Sequence, residues 1–482
     1  MLTKSDYIRF LQCEKYLWLN KFRKDLLPEE IDTSLMEQGA RVEEQAYRLF
    51  PEGQNAYNDN FQKAIEKTQA LLKLGSGVLF QPTFSNRKTD LFCRCDILKL
   101  DGKGGVELFE VKSSTQAKDE HLDDVAFQIL CLREAGLTVT RANLILVNNQ
   151  YVRQGTIEPR KLLKVEDVTA EAEGRMAGLD DRIQMALKVL RSKAEPEVRI
   201  LKQCSNPYDC PFIPYCWEKV PTPSIYDAGL SEKKLNALLD EGIIHMKDVP
   251  EGMITASKKK FYQAVKTGKP QIDKKALKKW LEKLEYPLHF LDYETHNPAI
   301  PLFDGTRPYE QVPFQYSLHV IPKRGAKVIH YEHLETEKVD PVPALVSALS
   351  KQIGPRGSVI AWNMGFESSR NAEMAERLPK AAPFLKSVNR RMVDLMVPVR
   401  SGAYVHPGFV GSASIKAVLP ILAPELSYEG LSGAYSDWPI LIGGTLAPDE
   451  KKAMAKRMLD YCGLDTFEMV KILNEVKKIA KG

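Results

Sequence analysis

The stretch LFCRCDILKLDGKGGVELFEVK, from Leu91 to Lys112, decides how the first half of the chain is read. Leu91–Leu100 and Val106–Lys112 have the apolar alternation of strands, and Asp101-Gly102-Lys103-Gly104-Gly105 between them has the composition of a turn. Successive side chains on a strand point to opposite faces, so Glu110 and Lys112 share one. Asp96 is expected on the preceding strand, across the hairpin. Two carboxylates and an ammonium then converge at one end of a sheet. Hard oxygen ligands of this kind hold Mg²⁺ or Mn²⁺, the metal polarises a phosphoryl group, and a lysine helps orient or activate water. Glu43, in an amphipathic helix expected over Leu35–Phe50, is well placed as a further carboxylate. Gln128, on a helix expected over His121–Ala135, adds a polar group. An exposed hairpin of alternating charge has the same short signature, so the pattern alone leaves both readings open.

Around this core, a helix is expected at Asn58–Leu74 and strands at Val78–Phe84 and Ala142–Val147, with a long helix at Val168–Leu190. Residues 1–219 thus read as a mixed α/β module. Eight cysteines are too few for a disulfide scaffold in a chain of 482 residues. Three of them form the cluster Cys204-x5-Cys210-x5-Cys216, and Cys13 is the natural fourth, because Cys93, Cys95 and Cys131 fall inside expected strand or helix. Tetrahedral zinc and a cubane iron–sulfur cluster both require four such ligands, and the geometry of the set leaves either open.

The Pro-containing hinge Val220-Pro221-Thr222-Pro223-Ser224 opens a segment, 220–286, that reads as entirely helical and ends in a dense run of lysines. Leu238–Ile244 followed by Asp248-Val249-Pro250 has the look of a helix–hairpin–helix, which offers backbone amides to a phosphate while the lysines supply counterion release. Phe261, Tyr262 and Trp280 could stack on bases or serve as core. A solvated spacer is the alternative.

From residue 287 the strand–helix pattern resumes. Strands are expected at Leu288–Glu294, Phe314–Ile321, Lys327–Tyr331 and Ser358–Trp362, with helices at Val342–Ile353 and Pro448–Val476. Phe290-Leu291-Asp292-Tyr293-Glu294-Thr295 places two acids at i, i+2 on one face of an apolar strand. Two like charges there call for a cation or an exposed edge. Trp362-Asn363-Met364-Gly365-Phe366-Glu367 carries an acid where a strand runs into a helix. Tyr461 and Asp465 lie four apart and share a helix face, where a tyrosine beside an acid can orient a metal-activated water. Asp394 is read as structural.

Composition sets wide bounds. The length allows about three domains. Apolar content of 44% and charged content of 27% are those of folded globular proteins. A net charge of +5 is a weak pointer to an acidic partner such as nucleic acid. No apolar run follows a basic start at Met1–Asp6, and no long uncharged apolar stretch occurs. The expectation is a cytoplasmic protein without a signal peptide or membrane span. Oligomeric state is not readable.

Cys13-Glu14-Lys15-Tyr16-Leu17, Gly39-x3-Glu43, Asp96, Glu110-x-Lys112, Gln128 and the late cysteines follow the order found in RecB-like PD-(D/E)XK exonucleases. The resemblance is to the iron–sulfur branch that includes CRISPR-associated exonucleases and the AddB subunit of helicase–nucleases, and it covers most of residues 1–218. It implies a restriction-endonuclease-like fold and a [4Fe–4S] cluster on Cys13, Cys204, Cys210 and Cys216. It also implies a divalent metal on Asp96 and Glu110, with Glu43 contributing and Lys112 catalytic. Glu43 stands where the CRISPR-associated branch usually has His, and Leu132 where a Tyr usually follows the Gln128 position.

Residues 287–475 resemble the DnaQ-like, DEDD-type exonucleases of RNase H-like fold, in their DEDDy subclass: Asp292-x-Glu294, the Asn363-containing motif ending in Glu367, and Tyr461-x3-Asp465. Glu367 stands where most members have Asp. This resemblance implies two-metal hydrolysis on Asp292, Glu294, Glu367 and Asp465. The whole chain resembles a bacterial fusion family that joins the two modules. The resulting expectation is a metal-dependent exonuclease acting on single-stranded or frayed DNA, in repair or defence. The alternatives are an RNA exonuclease and a nucleic-acid-binding protein with one or both sites degenerate.

Overall fold

The apolar alternation over Leu91–Leu100 is continuous, but one strand cannot serve two sheets without a break. In the computed structural model, which describes residues 1–28, 34–75, 77–86, 88–426 and 434–481, it separates into Leu91–Arg94 and Ile97–Leu100. The expectation that Asp96 lies on a strand is therefore corrected: it sits in the break. Its Oδ2 accepts from the Val111 N–H at 2.8 Å. Its carbonyl accepts from Gln81 N at 2.9 Å. Val78–Phe84 breaks in the same way into Val78–Phe80 and Thr83–Asn86, at Gln81 with φ 54° and at Pro82, which has no N–H to give a ladder.

Both units are mixed α/β. The first comprises Met1–Lys219 with Pro298–Glu310, the second Val220–Asn297 with Gln311–Gly482. In the first, strands are numbered β1 (Leu2–Thr3), β2 (Gln54–Asn55), β3 (Val78–Phe80), β4 (Thr83–Asn86), β5 (Leu91–Arg94), β6 (Ile97–Leu100), β7 (Gly105–Lys112), β8 (Thr138–Val147) and β9 (Leu163–Asp167). They form a six-stranded sheet, β2-β3-β6-β7-β8-β9, and a three-stranded one, β1-β5-β4. β6 and β7 are an antiparallel hairpin, whereas β7 and β8 are parallel. A parallel pair needs a crossover. The helix Asp119–Glu134 provides it, with Val125, Phe127, Ile129 and Leu132 buried in the core. The hairpin turns at Gly102 (φ 72°) and Gly104 (φ 94°). A Cβ on Gly105 would come within 2.5 Å of both Asp101 Oδ2 and Thr140 Cγ2. The helix expected over Val168–Leu190 divides into Thr169–Gly174 and Leu179–Arg191, with Gly178 left-handed between them.

The second unit holds the sheet β13-β12-β11-β14-β15, formed by β11 (Leu288–His296), β12 (Val312–Ile321), β13 (Ile329–Leu334), β14 (Val359–Ala361) and β15 (Met392–Asp394). β11 is antiparallel to β12 and parallel to β14. The last helix, Pro448–Lys481, is the longest among the described residues, and it buries Met469, Ile472, Leu473 and Val476 in the core of this unit. The lysine-rich segment belongs to this unit. It is not entirely helical as expected, because β10 (Gln271–Ile272) pairs with β16 (Tyr404–Val405). Its core contains Ile225, Leu238, Met246 and Val249, together with Phe261 and Tyr262. Trp280 is buried in the larger core. Three aromatics considered for base stacking are thus packed inside. Among the described residues, no helix is long and apolar enough to cross a membrane.

Candidate metal centres

In the first unit the alternation on β7 brings the charges together. Glu110, only 1% exposed, receives three donors: Lys112 Nζ at 2.8 Å and Lys4 Nζ at 2.7 Å on Oε1, and Gln128 Nε2 at 2.9 Å on Oε2. Lys4 also lies 3.7 Å from Asp96 Oδ1. Asp124, one turn before Gln128, accepts from Lys112 Nζ at 2.6 Å and Gln128 Nε2 at 3.0 Å. Burial opposes the charge on both lysines, but the surrounding carboxylates prevail: Asp124 and Glu110 hold Lys112 above the usual lysine range, and Asp96 and Glu110 do the same for Lys4. His121 is pushed down to about 4 by burial and then by Lys112, so its ring is neutral near pH 7. Glu43 stands one link away. It is engaged by the Tyr47 hydroxyl and the Gln81 amide, and no direct bond joins it to Asp96 or Glu110 among the described contacts.

Lys4 and Asp124 escaped the sequence reading. Lys4 is 106 positions from Glu110 and opens a helix with no motif of its own; Asp124 shows only as an i, i+4 partner of Gln128. Beside these groups lies a cavity of about 310 Å³ lined by Lys4, Arg9, Gln12, Lys112 and Tyr208.

Tyr208 comes from the cysteine segment. Gln12 Nε2 donates to the carbonyls of Gln203 (2.9 Å) and Tyr208 (2.7 Å), and Tyr16 packs edge-on against Phe212 at 5.9 Å. Lys15 pairs with Glu195 at 2.5 Å. These contacts bring Cys13, Cys204, Cys210 and Cys216 to one place, all half-buried and reduced. Burial, then the neighbouring thiols, push Cys210 up to about 11; burial also raises Cys13 and Cys216. Uncoordinated, Cys13, Cys210 and Cys216 are thiols.

In the second unit Asp292 and Glu294 project from one face of β11. Their carboxylate oxygens and the Cys462 sulfur all lie within 4.8 Å of one another. Burial first, and then Asp465, Glu294 and Glu367, raise Asp292 well above the carboxylate range. Glu294 is pushed up to about 8 by burial and by Asp465. Glu367 reaches about 8 through burial, against its own helix N-terminus, with Asp394 adding to the rise. It lies in the first turn of Gly365–Arg377, 2% exposed, and its Oε2 has no hydrogen-bond partner. Tyr461 is raised by burial and then by Asp465, Glu294 and Asp292. The sequence-expected acids and tyrosine are thus electrostatic neighbours, brought from β11, the helix after β14 and the last helix.

Asp394 holds the turn that presents Glu367. Its Oδ1 accepts from the backbone N–H of Asn363 (3.1 Å) and Met396 (2.9 Å), and Arg400 donates to Oδ2 at 2.9 Å. Asn363 is left-handed, φ 62°, a conformation that asparagine tolerates. Cys462 is the residue the sequence reading missed here; its only signal was its place beside Tyr461.

No curated protein matches the chain. A family model described as "Domain of unknown function (DUF2779)" matches residues 289–414, a span that holds Asp292, Glu294, Glu367 and Asp394 but stops short of Tyr461 and Asp465.

Proposed function

We propose that the protein is a metal-dependent nuclease with a phosphodiester-hydrolysing centre in each unit: a PD-(D/E)XK centre in the first and a DEDD centre on an RNase H-like fold in the second. The observation that carries the reading is the crowding of Asp292, Glu294, Glu367 and Asp465. Burial and the neighbouring acids raise Asp292 and Glu294, and burial raises Glu367, whose Oε2 has no hydrogen-bond partner; such crowding is costly without a cation. The four carboxylates fit Mg²⁺ or Mn²⁺, and Asp96 and Glu110 offer the same hard donors in the first unit. Bound there, such cations would polarise the phosphoryl group and supply a nucleophile at neutral pH.

The chain's own groups do the rest. Lys112, held charged between Glu110 and Asp124, orients water or neutralises a phosphate oxygen. The Tyr461 hydroxyl, facing three acids, orients the attacking water. The adjoining cavity is lined by Lys4, Arg9 and Lys112 together with Glu110, Asp124 and Asp209, and the three basic groups are the ones a phosphate backbone could reach once a cation engages the acids.

The four thiols suit a metal cluster, with Cys13, Cys204, Cys210 and Cys216 as ligands. The four sulfurs are electrostatic neighbours, and the resemblance to the iron–sulfur branch favours a [4Fe–4S] unit, with zinc as the alternative. Protein purified without oxygen is then brown; a colourless protein with stoichiometric zinc would reverse the assignment.

End-labelled single-stranded DNA and RNA, with free and blocked ends, test the nuclease reading in Mg²⁺ or Mn²⁺. Asp292→Ala is expected to abolish one activity and Glu110→Ala a separable one. Unchanged digestion by the double variant would sink both centres. A second reading, in which the first unit only binds nucleic acid, is favoured by the engagement of Glu43 by Tyr47 and Gln81. It predicts that Glu110→Ala leaves hydrolysis intact.

A further inference from the structure

The thiol of Cys462 lies inside the second centre. It sits on the face of the last helix that also carries Asp465 and Thr466, it is fully buried, and its sulfur is 3.7 Å from Asp292 Oδ2. A sulfur and an oxygen bound to one tetrahedral cation, at about 2.3 and 2.1 Å, are roughly 3.6 Å apart. The separation, now bridged by a thiol-to-carboxylate hydrogen bond, also suits two ligands on one ion, and Glu294 closes a triangle with both. Independently, Glu367, within electrostatic reach of Asp292, has a buried Oε2 without a hydrogen-bond partner, an oxygen donor that a cation in this centre would satisfy.

The geometry points to Cys462 as a direct sulfur ligand in this centre, which makes it a mixed oxygen–sulfur site selective for Co²⁺ or Zn²⁺ over Mg²⁺. The inference rests on the metal-dependent reading of the second unit and goes beyond it, since a thiolate ligand sharpens the preference for these ions well past that of an all-carboxylate centre. Mg²⁺ keeps to oxygen donors and near-octahedral geometry, whereas thiolates select the softer ions. Binding exchanges the S–H bond for an S–metal bond: one proton leaves to solvent, the sulfur keeps the electron pair, and no oxidant or reductant takes part. A metal ion of the softer class drives that exchange; Mg²⁺ leaves the thiol protonated and bonded to Asp292.

Co²⁺ is the probe, titrated without oxygen into the full-length wild type, Cys462→Ser, Cys462→Ala and Asp292→Ala, with folding checked by near-ultraviolet circular dichroism. The other cysteines are common to all four proteins and cancel in difference spectra. The expected result is a sulfur-to-cobalt charge-transfer band present in wild type and missing in both Cys462 variants. Their affinity for Co²⁺ at this centre should fall at least roughly tenfold, a loss seen even for groups that only support a ligand, with Mg²⁺ affinity within about twofold. Asp292-dependent cobalt binding with identical spectra in wild type and Cys462→Ser overturns the sulfur ligand and leaves the metal centre standing. Cobalt binding unaffected by Asp292→Ala removes both.

Discussion

Lys4 Nζ lies 2.7 Å from Glu110 Oε1, on the same oxygen that Lys112 approaches at 2.8 Å. One carboxylate oxygen shared by two ammonium groups is compensated charge, and a divalent cation entering between Asp96 and Glu110 would take over part of that role. Lys4→Met should therefore destabilise the metal-free protein and do so less when metal is bound. Breaking a largely buried pair costs a few kcal/mol, reduced here because Lys4 keeps about a fifth of its side chain in solvent. A loss of about 2 kcal/mol corresponds to roughly 5 °C in Tm. Thermal unfolding with and without Mn²⁺ checks this; the same loss in both conditions would make Lys4 a purely structural partner.

Asp394 is expected to act through Glu367. Removing it strips acceptors from Asn363 N, Met396 N and Arg400 at once. Asp394→Ala should cost about 2–4 kcal/mol, the sum expected for three bonds of which one is charged. Asp394→Asn keeps the oxygen that serves both backbone groups and should hold most of the stability. Because the turn also aims Glu367, both variants should weaken Mn²⁺ binding, read by titration calorimetry. A variant that loses stability but keeps its metal affinity would confine Asp394 to the fold.

The alternation rule carried the reading wherever a charged pair sat inside one element. Glu110 with Lys112 and Asp292 with Glu294 share faces because strands have period two, and Tyr461 with Asp465 because helices turn in about four. It failed where the decisive relation crosses the chain. Nothing local to Lys4 announces Glu110, and nothing in Leu91–Leu100 announces that two sheets compete for it, so that Asp96 becomes a backbone cap in the break. β10 and β16 pair over two residues each, too few to show a period. Phe261 and Tyr262 sit in a lysine-dense run where the sequence allowed base stacking as well as core, and they are core because a helix this basic folds only by burying its apolar side. Cys462 was counted among the cysteines when its neighbours in space are acids.

The helix Lys274–Leu281 is half of a test for nucleic-acid binding. Leu277 and Trp280 face the core, so Lys274, Lys275, Lys278 and Lys279 form one exposed stripe. If that stripe lies along a phosphate backbone, each contact contributes about 0.7 to the slope of log affinity against log salt for a single strand. Replacing all four by Ala should lower the slope by roughly two to three, with little change in Tm, because these side chains bury nothing. Fluorescence anisotropy with labelled single-stranded DNA over a salt series measures it. An unchanged slope would leave the stripe as a solvated face.

The last helix is tied to the sheet by a polar ladder that should be sensitive to acid. His319 Nδ1 bonds Thr466 Oγ1 at 2.7 Å, Ser317 Oγ bonds the same hydroxyl at 2.6 Å, and the His330 ring stacks on His319 at 4.2 Å. The Phe467 ring is tilted against His319 as well, centroids 5.5 Å apart. Burial, and then His330, push His319 down to about 4 from an ordinary value near 6.5. The folded state therefore holds a neutral ring while the unfolded chain takes up a proton below pH 6.5. Its contribution is complete above pH 6.5 and is lost progressively as pH falls towards 4. Because the ring keeps some access to solvent, the loss is on the order of 2 kcal/mol. Glu294 and Glu367, raised to about 8, act in the opposite direction: their burial is least costly when they are protonated, so they favour the metal-free fold as pH falls from 8 towards 4.5. The comparison must then be between proteins at each pH. Denaturant unfolding of wild type and His319→Gln from pH 7.5 to 4.5 isolates the histidine, since both carry the same acids. The variant should be the less stable of the two at pH 7.5, where it lacks the ring packing, and should close most of that gap by pH 4.5. A gap that stays constant with pH would mean that the ring at 319 does not titrate differently in the folded and unfolded states.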